Sequence, residues 1–312
     1  MIAPPAQPRR LAYLGTPALA VPPLEALIAA GFEVAMVVSR PDARRGRRGE
    51  LSPSPVKQAA LDLGLPVTES VDDLLDLDLD LGVVIAFGRL IKPHVLARLP
   101  MVNMHFSLLP RWRGAAPVER ALLAGDTHTG VCIMAVEEGL DTGGSYATAK
   151  SAIKPDDTLE SVRGRLVELG SALLVETLTG GLGAAEPQVG EVTYAEKLSP
   201  ADLELDWNLS AVELDRVVRV GPAWTTVAGK RLKIHRVEVE PETDPALGAL
   251  EIDPALGALE IDPAPGALDG AVARTGGGAL RLVEVQPEGK ARQPAEAWLN
   301  GARLAPDVRL GS

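Results

Sequence analysis

The sequence contains very little cysteine and few aromatic residues. Cys132 is the only cysteine among 312 residues, which excludes an intramolecular disulfide and fits a reducing compartment. Its apolar neighbours Val131 and Ile133 predict a buried strand thiol rather than a nucleophile. Aromatic side chains make up only 3% of the chain, so we expect aliphatic cores.

Metal-ligand patterns and long apolar runs are also missing. The four histidines have no metal-ligand spacing, so we predict no metal; they are His94, His105, His128 and His235. No run approaches the roughly 18 apolar residues of a membrane span, and prolines interrupt the short apolar stretch after Arg9-Arg10. We therefore expect a cytoplasmic protein without a membrane segment.

The chain carries an excess of acidic charge, with one local exception. Lys and Arg number 31 against 42 Asp and Glu, a net charge of −11, which argues against a protein coated in basic charge. Five arginines nevertheless lie in one glycine-containing loop: Arg40, Arg44, Arg45, Arg47 and Arg48. Such a loop suits contacts with nucleic-acid phosphates, although a solvated charge run is the more ordinary alternative.

The first half of the chain has the pattern of an α/β domain. A short apolar strand at residues 11–14, a helix ending at Gly31 and a strand at residues 33–38 predict a Rossmann-like, mostly parallel sheet. The Gly-x-Gly-x-x-Gly fingerprint is absent, so a dinucleotide site is not supported. We predict a disordered lead-in at residues 1–10, a catalytic domain at 11–189 and a linker at 190–208.

The remaining residues, 209–312, predict a smaller β domain. The alternation of Leu232 and Ile234 changes phase at Val237, and Leu280 and Leu282 are followed by a similar change. A phase change within one strand indicates a bulge, as expected where a small sheet curls into a barrel. A nine-residue unit recurs across residues 244–270, and we interpret it as a duplicated loop between strands.

The stretch from Met101 to Gly143 carries the residues best suited to chemistry. Asn103 and His105 are two apart in a predicted strand, so both should project from one face at its C-terminal end. In acyl or formyl transfer to an amine, the imidazole could accept the amine proton while the amide stabilises the oxyanion. Asp141, in a glycine-flanked loop, could orient the imidazole. A structural histidine is the alternative.

Four segments in this stretch resemble 10-formyltetrahydrofolate-dependent formyltransferases. The shared Asn, His and Asp identify only this superfamily, whereas the full sequences of the four segments are most similar to members that act on methionyl-tRNA. The matching segments are residues 103–110, 113–117, 129–131 and 139–143.

The resemblance implies roles for individual residues. Asn103, His105 and Asp141 would be the catalytic trio. Ser107, Leu108, Leu109 and Pro110 would lie along tetrahydrofolate, and the folate-contacting backbone would include Phe87, Gly88, Arg89 and Leu90. The basic loop would bind tRNA, with Arg47 at the key position.

The implied reaction is formyl transfer from 10-formyltetrahydrofolate to the α-amino group of initiator methionyl-tRNA, by a monomer with a C-terminal barrel of the oligonucleotide-binding (OB) type. Two departures concern tRNA contacts: the basic loop differs at Arg44, Arg48 and Glu50, and residues 220–223 are shorter than in the family.

Alternatives that keep the trio are a formyltransferase for a small amine such as a nucleotide sugar, and a formyltetrahydrofolate hydrolase. A folate- or RNA-binding protein without catalysis is the alternative from another class.

Overall fold

The computed structural model describes residues 2–44, 49–240, 264–305 and 308–312. The chain divides into two compact units: one comprises residues up to 121 together with 126–197, and the other comprises residues 122–125 and 198–312. The change from one unit to the other after Lys197 falls inside the segment predicted as a linker. Across the described residues no helix is long and apolar enough to cross a membrane.

Up to Lys197, strands and helices alternate as the sequence predicts. The strands are β1 (Arg10–Gly15), β2 (Glu33–Val38), β3 (Ala43–Arg44), β4 (Leu51–Ser52), β5 (Val67–Thr68), β6 (Leu81–Ile85), β7 (Met101–His105), β8 (Arg113–Gly114), β9 (His128–Ala135), β10 (Ser145–Ala152) and β11 (Tyr194–Ala195). The helices are α1 (Val21–Ala29), α2 (Pro55–Asp62), α3 (Pro93–Leu96), α4 (Pro117–Ala124) and α5 (Leu159–Gly180).

Seven of these strands form one sheet in the order β10, β9, β7, β6, β1, β2, β5. The five strands from β7 to β5 are parallel, while β9 and β10 are antiparallel, so the predicted mostly parallel sheet is confirmed. Helix α5 packs against α1 and against β9 and β10. The strand β6 is buried along its whole length, as expected for the middle of a sheet covered on both faces.

Several residues of the predicted lead-in make backbone hydrogen bonds in the structure. Arg10 already belongs to β1, and the amide of Leu182 donates to the carbonyl of Ala6 over 2.8 Å. The amides of Arg9 and Arg10 both donate to the carboxylate of Asp80 at 2.7 and 2.8 Å, and these bonds hold the pKa of Asp80 below its usual range. Ala6, Arg9 and Arg10 are thus each hydrogen-bonded to distant parts of the first unit.

In the residues that the structure describes, the second unit is an antiparallel sheet with two α-helices. Its strands are β12 (Ala223–Val227), β13 (Lys230–Val239), β14 (Leu268–Asp269), β15 (Val272–Arg274), β16 (Ala279–Pro287) and β17 (Gln293–Pro294), and its helices are α6 (Ala211–Val220) and α7 (Ala295–Ala302). The sheet order is β12, β13, β16, β15, β14, with β17 beside β16. An aliphatic core with two buried tryptophans, Trp207 and Trp298, lies beneath it.

Strand β13 contains the irregularity that its phase change predicts. Its pairing with β16 shifts register on both sides of Arg236, so that Leu232, Ile234 and Val237 are all buried. Near the C-terminus, Leu310 bridges Val227 at one edge of the sheet, and Arg309 bridges Ala267 just before the other edge strand. The final residues thereby link the two edges, as a barrel requires. Most of the predicted repeat, from residue 244 to residue 263, lies outside the described residues.

Candidate active site

Asn103 and His105 open onto one cavity at the carboxyl end of β7. The strand lies between β6 and β9, and Asn103 pairs with Val84 on one side and Met134 on the other. The cavity has a volume of about 660 Å³, and both side chains belong to its lining. A site at this edge of the sheet is the usual location for ligands in open α/β folds.

The hydrogen bond of His105 defines which ring nitrogen can exchange a proton. Its Nε2 lies 2.8 Å from the carbonyl oxygen of Trp112, and a carbonyl can only accept, so Nε2 carries hydrogen. In the neutral ring Nδ1 is then unprotonated. This nitrogen lies 3.7 Å from Oδ2 of Asp141, and the His105 side chain is only 6% exposed. A proton taken up on Nδ1 would thus face a carboxylate.

Asp141 is held in a strained turn between β9 and β10. Its φ of +50° lies in the left-handed region, which a residue other than glycine occupies at a cost of about 1–3 kcal/mol. Its Oδ2 accepts a hydrogen bond of 2.7 Å from the amide of Gly114. At Gly143 a Cβ atom would collide with the carbonyl oxygen of Ala135, so only glycine allows the loop to pack this closely. The structure therefore brings Asp141 to His105.

Residues 87–90 also line the cavity. Phe87 is buried, Gly88 has a φ of +71°, and the side chain of Leu90 is exposed. The Arg89 guanidinium lies 5.3 Å from the centre of the Phe87 ring and donates to the carbonyl of Glu69 over 2.7 Å. The rest of the lining is mainly aliphatic, with carboxylates at Glu137, Glu138 and Asp141.

Residues 107–110 lie elsewhere. They follow β7 in a turn and do not belong to the cavity lining. Ser107 is buried and its hydroxyl donates to the carbonyl of Arg111 over 2.6 Å, while Leu108 packs so close to Gly130 that a Cβ there would collide with it. The peptide bond between Leu109 and Pro110 is cis. Their contact with a folate stays a prediction.

The basic loop is described only in part. Arg40 and Arg44 are exposed, and Arg44 belongs to β3, which pairs with β4. Lys57 bonds to Asp42 at 2.7 Å and also to Glu69, and these two carboxylates raise the pKa of Lys57. Three of the predicted tRNA-binding residues lie outside the described residues: Arg45, Arg47 and Arg48.

Two ionisable groups beside the site have shifted pKa values. The hydrogen bonds of Arg111 to Asp126 raise the pKa of that guanidinium, so it stays a fixed cation. Burial, and then the negative charge of Glu137, raises the pKa of the Tyr146 phenol, which therefore stays neutral. In the described part of the chain, no group of three or more His, Cys, Asp or Glu residues could hold a metal ion.

The sequence does not indicate Trp112 or Gln188. Trp112 acts through its backbone carbonyl, which leaves no signature in the residue type. Gln188 donates from Nε2 to the carbonyl of Asp141 over 2.8 Å, although 47 residues separate the two. Neither pattern nor spacing could relate positions so far apart.

Comparison with known proteins identifies the family. Residues 9–178 match the family described as formyl transferase, and residues 197–303 match the formyl transferase C-terminal domain. The chain belongs to the formyl transferase family. The formyltransferase is 42% identical over 319 residues to a methionyl-tRNA formyltransferase of Heliobacterium modesticaldum, a match that covers 97% of this chain and 100% of the relative.

Two further proteins extend the comparison. A methionyl-tRNA formyltransferase of Acidothermus cellulolyticus is 42% identical over 323 residues, covering 96% of this chain and 99% of the relative. The crystal structure of HypX from Aquifex aeolicus in complex with tetrahydrofolic acid is 17% identical, with a TM-score of 0.60, covering 94% of this formyltransferase and 47% of HypX. At that identity the likeness concerns the fold alone.

Proposed function

We propose that this formyltransferase moves a formyl group from 10-formyltetrahydrofolate to the α-amino group of initiator methionyl-tRNA, as a cytoplasmic monomer. The observation that carries the proposal is the convergence of Asn103, His105 and Asp141 on one cavity. The full-length similarity to methionyl-tRNA formyltransferases supports the choice of acceptor.

In the proposed reaction His105 manages the proton. The acceptor amine must be neutral to attack the formyl carbon. Its deprotonation needs little help, because a free α-amino group has a pKa of about 7.7–8.0. Nδ1 of His105 then takes the proton that the new C–N bond displaces. The imidazolium returns this proton to N10 of the folate as the C–N10 bond breaks, so that formyl-methionyl-tRNA and tetrahydrofolate leave. A placed acid–base group of this kind contributes about 10²–10⁴ in rate.

Asn103 and Asp141 would stabilise the two charges that appear along this path. The side-chain amide of Asn103 shares the cavity with His105 and can donate to the formyl oxygen as it becomes negative. The carboxylate of Asp141, 3.7 Å from Nδ1, would stabilise the imidazolium. Its bond from the Gly114 amide fixes the carboxylate while leaving its charge available to His105.

The cavity suits the formyl donor in size and in chemistry. A volume of about 660 Å³ lies within the range of about 300–1,000 Å³ typical of ligand pockets. Residues 87–90 would hold the folate ring, because Gly88 lets the backbone approach closely and Phe87 and Leu90 supply apolar surface. We assign residues 107–110 contacts with a further stretch of the same ligand.

Binding of tRNA would use the arginine-rich loop and an exposed face of the second unit. On β13, Arg231 and Lys233 alternate outwards, and the guanidinium of Arg231 lies 3.7 Å from the centre of the Trp224 ring. Cations beside a partly exposed aromatic ring suit phosphate contacts and base stacking. Arg40, Arg44, Arg45, Arg47 and Arg48 would add contacts from the first unit.

A panel of acceptors tests the proposed reaction. The purified protein would be incubated with 10-formyltetrahydrofolate and, in separate reactions, with charged initiator tRNA, charged elongator tRNA, an amino sugar nucleotide or water alone. We expect N-formylmethionyl-tRNA as the main product, detected by mass spectrometry after deacylation. Formylation of the sugar amine, or release of formate without an acceptor, at a higher kcat/KM would refute the proposal.

Replacement of Arg231 and Lys233 by alanine tests the tRNA surface. We expect weaker tRNA binding and a salt dependence that is shallower by about one counterion for each phosphate that the protein no longer neutralises, with formyl-donor binding unchanged. Glu238→Gln, also exposed on β13, is the matched surface control. Salt titrations of tRNA binding that superimpose for the wild type, the double variant and the control would exclude this surface.

A further inference from the structure

Residues 186–195, here called the strap, run beside the site within the first unit. The amides and carbonyls of Ser145 and Glu186 bond to each other at 2.7 and 2.9 Å, which fixes the start of the strap. At its other end β11 pairs with β8, and the amide of Arg113 donates to the carbonyl of Thr193 over 2.9 Å. Backbone pairing thus holds both ends of a segment without a helix or long strand of its own.

From the strap, Gln188 reaches the loop that carries Asp141. Its Nε2 donates to the carbonyls of Asp141 and Gly143, both at 2.8 Å, and its Oε1 accepts from Nε and an Nη of Arg113 at 3.1 and 2.7 Å. Because the guanidinium can only donate and the carbonyls can only accept, the orientation of the amide is fixed. One side chain therefore holds the loop at the strained residue Asp141 and again two residues further along, at Gly143.

Thr193 reaches Trp112, whose carbonyl is hydrogen-bonded to His105. Its Oγ1 accepts from the amide of Trp112 over 2.9 Å. Trp112 also has a left-handed backbone, with a φ of +65°, and its indole nitrogen donates to Asp126 over 2.8 Å. These bonds hold Trp112 so that its carbonyl points at Nε2 of His105. Without them, the strained backbone would be free to turn this carbonyl away.

We propose that the strap positions His105 from both sides, through Gln188 and Asp141 towards Nδ1, and through Thr193 and Trp112 towards Nε2. The inference rests on the proposed role of His105 in formyl transfer. Gln188 and Thr193 are absent from the cavity lining, so they are positioning residues rather than catalytic ones. Together they would select the tautomer of His105 with hydrogen on Nε2. They would also place its unprotonated nitrogen, Nδ1, beside the carboxylate of Asp141.

Four variants separate positioning from general stability. Gln188→Glu keeps the shape and the acceptor for Arg113 but removes both donors, and Thr193→Val removes the hydroxyl at constant shape. Thr193→Ser restores the hydroxyl, and Val189→Ser changes a strap side chain that is 87% exposed. We expect kcat to fall by up to about 100-fold in the first two, with the KM for the formyl donor little changed. The two controls should retain wild-type kcat.

The tautomer of His105 provides a readout that does not depend on activity. With ¹⁵N-labelled histidine, the four imidazoles give four pairs of ring-nitrogen signals, and the His105 pair is identified by its loss in His105→Gln. We expect the wild type and both controls to hold hydrogen on Nε2, and we expect Q188E and T193V to give mixed tautomers. If Q188E does not fold, Gln188→Met, uncharged and of similar length, takes its place.

The outcomes are distinguishable. Wild-type kcat and an unmixed Nε2–H tautomer in Q188E and T193V would overturn the positioning role. Equal losses of kcat in T193V and Thr193→Ser would also overturn it, because the hydroxyl would then be irrelevant. If the wild type fails to formylate methionyl-tRNA, the proposed function fails, whereas the tautomer measurement still decides whether the strap sets the state of His105.

Discussion

Replacing Asp141 by asparagine removes the charge that faces His105 while leaving an oxygen for the Gly114 amide. The Oδ2 atom lies 3.7 Å from Nδ1, and the two side chains are 6% and 14% exposed, so water screens the pair only partly. With an effective dielectric constant of about 20, a unit charge pair at this distance is worth about 4 kcal/mol. Because this stabilisation applies to the imidazolium, we expect kcat to fall about 10³-fold.

The assay is a single-turnover measurement of formyl transfer with enzyme in excess, together with equilibrium binding of tetrahydrofolate. We expect folate affinity to change little, because the carboxylate acts on the imidazolium formed during the reaction. Asp156→Asn removes the same charge at an exposed position outside the cavity lining and is the matched control. A rate for Asp141→Asn within a few-fold of the wild type would refute the electrostatic reasoning.

Three further predictions concern the oxyanion, the loop and stability. Asn103→Ala should lower kcat by about 10²–10³ in the same single-turnover assay, with tetrahydrofolate binding retained. Gly143→Ala should destabilise the protein by about 1–3 kcal/mol, measured by denaturant unfolding, because its Cβ would collide with the Ala135 carbonyl. Asp157→Asn should cost about 2–3 kcal/mol at pH 7, since Asp157 is buried and pairs with the partly exposed Arg165. The hydrogen bonds of Arg165 hold the pKa of Asp157 well below its usual value. The difference in unfolding free energy between the wild type and Asp157→Asn should therefore be full above about pH 5 and shrink as the pH falls below about 4. The same difference at pH 3 as at pH 7 would contradict this prediction.

Much of the fold follows from local patterns. The strand predicted at residues 33–38 has the bounds that the structure shows. Residues 72–80 are rich in aspartate, and a short 3₁₀ helix forms at Asp72–Asp76 because so many acids discourage sheet pairing. The cap of α5 illustrates the limit of such patterns. Asp157 and Glu160 have the spacing of a capping box, but Thr158 caps the helix together with Ser161, because the Asp157 carboxylate is used by Arg165.

The site is predictable only in part, for a physical reason. The shared face of Asn103 and His105 follows from the two-residue repeat of a strand. The frame around His105 does not, because it consists of backbone carbonyls and of bonds between distant positions: Thr193 lies 81 residues from Trp112, and Gln188 lies 47 residues from Asp141. The segment that supplies both side chains has a glycine- and proline-containing composition that indicates only a boundary.

The strained residues at the site suggest how the enzyme achieves its geometry. Trp112 and Asp141 both have positive φ, and each presents one polar group to a different nitrogen of the same imidazole. Such backbone strain persists only when surrounding contacts over-determine it. The hydrogen bonds of Gln188, Thr193, Asp126 and the Gly114 amide provide those contacts.

The rate of formyl transfer by His105→Asn tests the central claim most directly. Wild type and variant would be compared in single turnovers with 10-formyltetrahydrofolate and charged initiator tRNA, after equilibrium binding has established that both proteins hold tetrahydrofolate. We predict that the variant binds folate with nearly normal affinity and transfers the formyl group about 10²–10⁴ times more slowly. A variant that binds folate and transfers at the wild-type rate would contradict a role for the imidazole in proton transfer.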